Sequence, residues 1–421
     1  MIKKTIFLIF LTQVIFFNKV FSQNYPSSEK IIKIISKKNL SYYGKDIRRI
    51  GMYKYGINYY SKVFPRTKGI PDSLKLESIY CQAIDDAQAI HQSFKYKRIS
   101  DKFYNDQKKA LGFDFSNCTD KFIRTYLQLA IVKSNSEKKY YIIDSNSNFD
   151  FSDEKIYELD KSKEISHTFI YESYIDNQKK KDSTSFSIDY TDNLLLIKAN
   201  EHYLANLKVE NNNYQIIINP QYLGNRFPEI IFIDKEKGNE EKYEINNLIK
   251  INDSYYRISN LSKDFRKFNL VKTDPSSGSN QLNFKAFSFK ETDINAKKIN
   301  FPRDFKNKYV LLNFWNLSCK YLVNEMQMTA KEFSKLSNLD NLKIIGIAND
   351  SKNEIIDFIK ENNITETQIQ VGGLSNDLIK KFALKGTPQY FLISPKGIII
   401  NKGRDLNSEN IIEILKTELK E

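Results

Sequence analysis

Hydrophobic residues recur at helical spacing in the N-terminal part of the chain. In Ser73–Phe94, leucine, isoleucine and alanine repeat with the period of a helix that buries one face. Ser100–Leu111 has a similar pattern and is followed by Gly112, which favours the end of a helix. We therefore predict a mostly helical N-terminal module over residues 23–125.

The hydrophobic period becomes strand-like between about residue 126 and residue 273. Short runs of aromatic and β-branched residues are bounded there by Asn, Asp, Ser and Gly. Such runs are typical of short strands joined by tight turns. They predict an all-β, hairpin-rich domain over residues 126–273. The clearest runs are Tyr140–Ile143, Leu194–Ile197, Tyr214–Ile218, Ile230–Ile233 and Tyr255–Ile258.

A segment without apolar residues, Asp274–Asn280, precedes the last third of the chain. Its proline, glycine and serines are typical of a linker, which we place at residues 274–283. Strand-like and helix-like segments then alternate, which predicts an α/β domain over residues 284–421 and makes the whole chain a multidomain α+β protein. The predicted elements are strand Tyr309–Trp315, helix Cys319–Leu336, strand Leu342–Ala348, helix Lys352–Glu361, strand Thr367–Val371, helix Leu374–Phe382, hairpin strands Gln389–Ser394 and Ile398–Asn401, and helix Ser408–Leu419.

The N-terminus has the composition of a secretory signal peptide. Lys3 and Lys4 precede an apolar run, Thr5–Phe17, that is too short to span a bilayer. Val20 and Ser22 suit the small-residue rule for cleavage after Ser22. We therefore predict an exported, periplasmic protein with a signal peptide at residues 1–22 and no membrane span in the mature chain.

The formal net charge is +14, which raises the question of a nucleic-acid partner. The lysines are scattered among Asp and Glu, and no arginine-rich stripe is present. Export would also remove such a protein from nucleic acid. We expect a solvated basic surface and no nucleic-acid partner.

Cys319 lies between a predicted buried strand and a predicted helix. A thiol at the N-terminal end of a helix meets free N–H groups and the positive end of the helix dipole, and both favour the thiolate. Lys320 follows directly and would lower the pKa of the thiol further. Cys319 is therefore the candidate nucleophile.

The segment around Cys319 is similar to the active site of TlpA-type thioredoxin-like proteins of the bacterial envelope. Those proteins usually carry F-W-x-x-W-C-x-x-C-x-x-E-M, and this chain has Phe314-Trp315, Cys319 and Glu325-Met326 in matching places. The resemblance implies a thioredoxin-like C-terminal domain, a pKa-tuning role for Glu325 and a substrate contact at Trp315. The pattern departs at Ser318, in place of the second tryptophan, and at Leu322, in place of the resolving cysteine.

A second motif, Gly386-Thr387-Pro388, resembles the cis-proline loop of the same family. In that loop a cis peptide bond turns the backbone N–H and C=O groups of the residue before proline towards the thiol. The resemblance therefore implies that Thr387 and Pro388 bind an extended substrate through backbone hydrogen bonds. We predict a cis bond between Thr387 and Pro388.

These residues favour an exported thioredoxin-like protein with one active-site-type cysteine, acting in thiol-disulfide exchange or redox sensing. Its partners would be protein thiols or disulfides, or an external reductant thiol, and no cofactor is expected. The alternative is a redox-inactive binding or scaffold protein of the cell envelope with the same fold. A peroxiredoxin is excluded, since its proline and hydroxyl residue would stand at Leu312 and Asn316.

Two further features leave alternatives open. Cys81 and Cys118 either pair, which leaves Cys319 as a single thiol, or remain separate thiols. The loop Asp144–Asp150 has oxygen ligands at alternate positions, as calcium loops do, but Lys155 stands where a bidentate glutamate belongs. We favour a polar hairpin turn there and predict no metal site.

Overall fold

The computed structural model describes residues 31–39, 50–55, 62–111, 115–159, 165–191, 194–209, 212–220, 228–317, 320–336, 339–372, 376–384, 387–404 and 408–418. The predicted signal peptide, residues 1–22, lies outside them. No helix within these ranges is both long enough and apolar enough to cross a bilayer.

Residues 31–272 are built mainly from strands. The elements in chain order are β1 (Ile31–Ile35), β2 (Lys37–Asn39), β3 (Ile50–Gly51), β4 (Tyr53–Lys54), β5 (Lys75–Ala83), α1 (Asp86–Lys95), α2 (Asp101–Leu111), β6 (Tyr126–Lys133), β7 (Lys139–Asp144), β8 (Ile156–Glu158), β9 (Ser166–Ile175), β10 (Gln178–Thr191), β11 (Leu194–Ala199), β12 (His202–Val209), β13 (Asn212–Asn219), β14 (Glu229–Asp234), β15 (Glu240–Tyr243), β16 (Ile249–Ile251), β17 (Ser254–Ser259) and β18 (Lys267–Lys272).

The prediction of a helical N-terminal module is wrong. The first half of Ser73–Phe94 forms strand β5, and the helix begins only at Asp86, where the Asp85 side chain accepts a hydrogen bond from the backbone N–H of Gln88. Strand β5 lies between two cores: Ile79 and Cys81 face one, and Tyr80 faces the other. A strand buried on both faces has an apolar run that periodicity alone does not separate from a helix.

The pairing of the strands joins the two ends of this region. Strand β1 pairs with β18, β2 with β12, and β3 with β11. Strand β5 pairs with β6, so the predicted boundary between residues 125 and 126 falls between neighbours in one sheet. The hairpin-rich pattern predicted for residues 126–273 is present, and the predicted runs lie within β7, β11, β13, β14 and β17.

Four sheets result from this pairing, with strand orders β1-β18-β17-β16, β15-β14-β13-β12-β2, β3-β11-β10-β9 and β4-β5-β6-β7-β8. The first two sheets share one core, which includes Ile216, Ile230 and Leu270. The last two share another, which includes Leu129 and Phe186. Helix α1 covers the opposite face of the β4–β8 sheet.

The C-terminal unit has the predicted alternation of strands and helices. Its elements are β19 (Phe289–Thr292), β20 (Lys298–Phe301), β21 (Tyr309–Trp315), α3 (Lys320–Leu336), β22 (Leu342–Ala348), α4 (Lys352–Glu361), β23 (Thr367–Gln370), α5 (Asp377–Phe382), β24 (Gln389–Ile393), β25 (Ile399–Gly403) and α6 (Ser408–Glu418).

The central sheet of this unit has the order β23-β22-β21-β24-β25. Strands β21, β22 and β23 are parallel, and β24 and β25 form an antiparallel hairpin beside them. All seven residues of β21 are buried, because helices cover both faces of the sheet. This is the thioredoxin-like arrangement, and it brings the carboxyl ends of β21 and β22 to one edge.

The predicted linker contacts both units. Asn280, within this linker, is buried; it accepts a hydrogen bond from Asn247 Nδ2 (2.6 Å) and donates one to the carbonyl of Phe382 (3.2 Å). Asn246 Nδ2 donates to the carbonyl of Lys380 (2.6 Å). The β-rich unit therefore supplies a hydrogen bond to a carbonyl at the end of α5, in addition to the one that the Lys380 carbonyl accepts from the backbone N–H of Ala383.

Candidate functional site: the edge of the thioredoxin-like sheet

The candidate site lies where β21 and β22 end. After β21 come Asn316 and Leu317, and helix α3 begins at Lys320. Cys319 and Ser318 lie outside the described residues. Lys320, Leu322 and Glu325 lie in the first two turns of α3, so the predicted change from strand to helix is present.

A side-chain hydrogen bond links the loop before Cys319 to the cis-proline loop. Asn316 Nδ2 donates to Thr387 Oγ1 over 2.6 Å. The bond between Thr387 and Pro388 is cis, as predicted, and Pro388 is buried while Thr387 is half-buried. The two motifs that the sequence singled out therefore meet in space.

The carbonyl of Thr387 already has a partner. The Nη2 atom of Arg404, at the end of β25, donates a hydrogen bond to it over 3.0 Å. Arg404 is exposed, so this contact lies at the surface of the site. An extended substrate that pairs with the Thr387 carbonyl would compete with this guanidinium.

Asp350 holds the loop that leads to Cys319. Its two carboxylate oxygens accept the backbone N–H of Leu317 at 3.1 and 3.0 Å. Burial raises the pKa of the Asp350 carboxyl to about 6; the charge of Glu354 adds to the rise, and the hydrogen bond from Leu317 opposes it. The next residue, Ser351, caps α4 in a capping box with Glu354, which fixes the backbone at Asp350.

Trp315 forms the inner wall of the site. It is 2% exposed, its Nε1 donates to Gln368 Oε1 (3.1 Å), and its ring lies 5.3 Å from that of Phe358. Gly346 leaves room for Gln368, because a Cβ at this glycine would lie 1.9 Å from Gln368 Oε1. The substrate contact implied for Trp315 stays a prediction.

A second carboxyl lies behind Trp315. A small cavity there is lined in part by Asn313, Gln368 and Glu366. Burial raises the pKa of the Glu366 carboxyl. Asn313 Oδ1 is buried and has no hydrogen-bond partner among the described residues. The cavity next to Trp315 therefore has polar groups in its lining, and one of them, Asn313 Oδ1, lacks a hydrogen-bond partner among the described residues.

The other two cysteines are not joined in a disulfide. Cys81 is fully buried in β5, and burial raises the pKa of its thiol. Cys118 is half-buried, beyond α2 in the chain. Neither lies in the unit that carries Cys319.

In the Asp144–Asp150 loop, side-chain oxygens bind the loop's own backbone. Asp144 accepts hydrogen bonds from the N–H groups of Asn148 and Phe149, both at 3.0 Å. Within the described ranges, no group of three or more His, Cys, Asp and Glu side chains is placed to hold a metal ion.

Sequence reasoning missed three groups at the site. Asp350 lies just beyond the predicted strand Leu342–Ala348, which runs parallel to β21 in the structure, so the rule that parallel strands end at one edge could have found it. Gln368 and Arg404 had no comparable pattern, because their contacts depend on how distant strands align.

Comparison with known proteins agrees with this architecture. Residues 282–402 match the AhpC/TSA family. Over 142 residues the chain is 30% identical to the thiol-disulfide oxidoreductases ResA of Bacillus thuringiensis subsp. konkukian (strain 97-27) and of Bacillus cereus (strain ATCC 10987 / NRS 248), which covers 33% of this chain and 78% of each relative. The chain therefore belongs to the thioredoxin-like thiol-disulfide oxidoreductases.

Solved structures also resemble the C-terminal unit. A thiol-disulfide oxidoreductase from Bacteroides fragilis NCTC 9343 is 27% identical, with a TM-score of 0.28 over 32% of this chain and 98% of that one. A thioredoxin domain of a thiol-disulfide oxidoreductase from Bacteroides vulgatus is 20% identical, with a TM-score of 0.29 over 32% and 96%.

Proposed function

We propose that this protein carries out thiol-disulfide exchange in the cell envelope with Cys319 as its single active-site thiol. The observation that carries the proposal is the hydrogen bond from Asn316 to Thr387, which holds the loop before Cys319 against the cis-proline loop. Export rests on the predicted signal peptide. Lys320 and Glu325 are proposed to tune the pKa of Cys319.

The proposed reaction has two exchanges. The Cys319 thiolate attacks one sulfur of a substrate disulfide, a new S–S bond forms, and the second substrate sulfur leaves as a thiolate that takes up a proton. An external thiolate then attacks the mixed disulfide, forms a disulfide with the substrate and releases the Cys319 thiolate. At this point one substrate sulfur is free and the other is still joined to the external thiol. A second external thiolate displaces it, so two external thiols are oxidised to their disulfide for each substrate disulfide that is reduced.

The external thiol is required because the chain offers no resolving cysteine nearby. Leu322 occupies the family position of that cysteine. Cys81 is an unsuitable substitute, since its thiol is buried and burial opposes formation of the thiolate. The substrate would bind the Thr387 backbone next to Pro388 in extended form.

One observation favours the second candidate, a redox-inactive binding protein. Arg404 occupies the Thr387 carbonyl that an extended substrate would use. If Arg404 keeps this hydrogen bond when a partner is bound, the partner does not pair with the Thr387 carbonyl. The site then binds its partner through other groups, and the Cys319 thiol takes no part.

Insulin reduction by the mature chain distinguishes the two candidates. With the reduced protein in stoichiometric amount and no added thiol, we expect the wild type to stop at the mixed disulfide and release reduced insulin near background. Leu322→Cys should release it clearly above background, because the substitution restores an in-line resolving thiol. Leu322→Ser is the matched control and should stay at background. A Leu322→Cys variant that is folded yet inactive favours the binding protein.

A further inference from the structure

A lysine-lined cleft opens at the end of the core shared by the β3–β9 and β4–β8 sheets. The cleft has a volume of about 440 Å³, and its lining includes Lys54, Lys75, Lys133, Lys139 and Tyr190. Tyr190 comes from β10, in the sheet opposite the lysines, and packs against the shared core. The cleft is therefore the mouth between two packed sheets.

The lysines stand at positions that face the core. Strand alternation places Lys75, Ser78 and Tyr80 on one face of β5, with a bulge at Glu77 between them. Tyr80 on that face belongs to the shared core. Lysines thus occupy core-facing positions at the end of this core, where it meets the solvent.

Three of the lysines lie side by side across neighbouring strands. Lys75 of β5 is opposite Lys133 of β6, and Lys133 is opposite Lys139 of β7. Like charges directly opposite each other destabilise a sheet. Strand β6 is in the middle of its sheet, so Lys133 does not serve to protect an exposed edge.

Glutamates compensate only part of this charge. Glu137 pairs with Lys133 at 2.5 Å, and Glu77 pairs with Lys139 at 3.0 Å. Among the described residues, neither Lys54 nor Lys75 forms an ion pair. The pKa of Glu137 is lowered, chiefly by its hydrogen bond from Lys133, and the charges of Lys75 and Lys139 lower it further.

We propose that this cleft binds a small molecule that carries phosphate or carboxylate groups. Its volume is that of a small-molecule site. The ammonium groups of Lys54 and Lys75 supply donors for anionic oxygens, and charge-assisted hydrogen bonds of this kind are the stronger ones. The rings of Tyr80 and Tyr190 flank the lysines and offer an apolar surface to the body of the ligand.

Isothermal titration of the mature full chain with pyrophosphate and with citrate tests the proposal. Pyrophosphate represents phosphate ligands and citrate represents carboxylate ligands. We expect saturable binding of at least one probe, and a loss of about tenfold in affinity for Lys75→Met and for Lys54→Met, since each removes one charge-assisted contact. Methionine keeps most of the length of the lysine side chain and removes its charge.

Lys138→Met is the matched control. Lys138 adjoins Lys139 in sequence but pairs with Glu158 at 2.8 Å and does not line the cleft. Without ligand, Lys75→Met should raise the thermal midpoint, since it relieves cross-strand repulsion, and this also shows that the variant folds. Absence of saturable binding by both probes overturns the proposal, and so does equal weakening by Lys138→Met.

Discussion

Asn316 donates a 2.6 Å hydrogen bond from its Nδ2 atom to the hydroxyl oxygen of Thr387, across 71 positions of sequence. One partner lies three residues before Cys319 and the other lies directly before the cis-proline. The substrate-binding backbone proposed at Thr387 and the loop that leads to the thiol are therefore joined by a side-chain hydrogen bond.

Removing the Thr387 hydroxyl should loosen this contact. We predict that Thr387→Val lowers the free energy of unfolding by about 1 kcal/mol, the usual net value of one hydrogen bond, and slows formation of a mixed disulfide at Cys319. Chemical denaturation and mass spectrometry of the trapped adduct measure the two effects. Thr387→Ser keeps the hydroxyl and should retain the wild-type adduct rate; an equal loss in both variants would assign the effect to packing.

Asp350 should make stability depend on pH. Its folded-state pKa of about 6 lies above the ordinary value of 3.8 for an aspartate, so the folded state holds the proton more tightly than the unfolded state does. The resulting stabilisation is complete below about pH 4 and is lost as the pH rises through 6. Asp350→Asn does not titrate, so it should gain stability relative to the wild type between those values. If the free energies of unfolding of the wild type and Asp350→Asn differ by a constant amount from pH 4 to pH 7, the pH dependence does not come from Asp350.

Gly346 should be intolerant of a side chain. Gly346→Ala would drive a Cβ into Gln368 and break its hydrogen bond with Trp315, so we expect a loss of about 1–3 kcal/mol. Trp315 is the single tryptophan of the chain, so its fluorescence reports this change directly. Gly372→Ala is the control, since a Cβ there meets no atom of the described residues within 4 Å. Unchanged fluorescence in Gly346→Ala would show that Gln368 moves without affecting Trp315.

The fragment Gln281–Glu421 should fold alone but less stably than within the full chain. It lacks Asn246 and Asn280, which donate to carbonyls of α5, so we expect faster hydrogen exchange in α5. The control is Asn246→Ala in the full chain, which should reproduce part of the change. A fragment without cooperative unfolding would contradict the boundary.

From β21 onward the C-terminal unit was predictable, because its elements have clear patterns; β19 and β20 were not predicted. Strand β21 is a continuous apolar run, and α4 has an amphipathic pattern with a capping serine before it. Strand β5 lacked such clarity, since it packs against cores on both faces. The predicted linker was misleading for a related reason: Asn280 is polar yet buried, and sequence composition does not distinguish a satisfied polar residue from an exposed one.

Only those residues of the candidate site that belong to short sequence motifs were predictable. Cys319, Thr387 and Pro388 were identified from short motifs that resemble a known family. The contacts of Asp350, Gln368 and Arg404 arise between segments far apart in the chain, and the lysine row of Lys75, Lys133 and Lys139 depends on strand register. Register is set by packing over a whole sheet, which no short sequence pattern expresses.

Trapping of a mixed disulfide tests the central claim most directly. The mature chain is mixed with an excess of a disulfide-linked peptide, without added thiol, and the product is mapped by mass spectrometry. We predict one stable adduct on Cys319, none in Cys319→Ser, and release of the peptide when an external thiol is added. A folded wild-type protein that forms no adduct at Cys319 would contradict the account, and so would release of reduced peptide from the adduct without an added thiol.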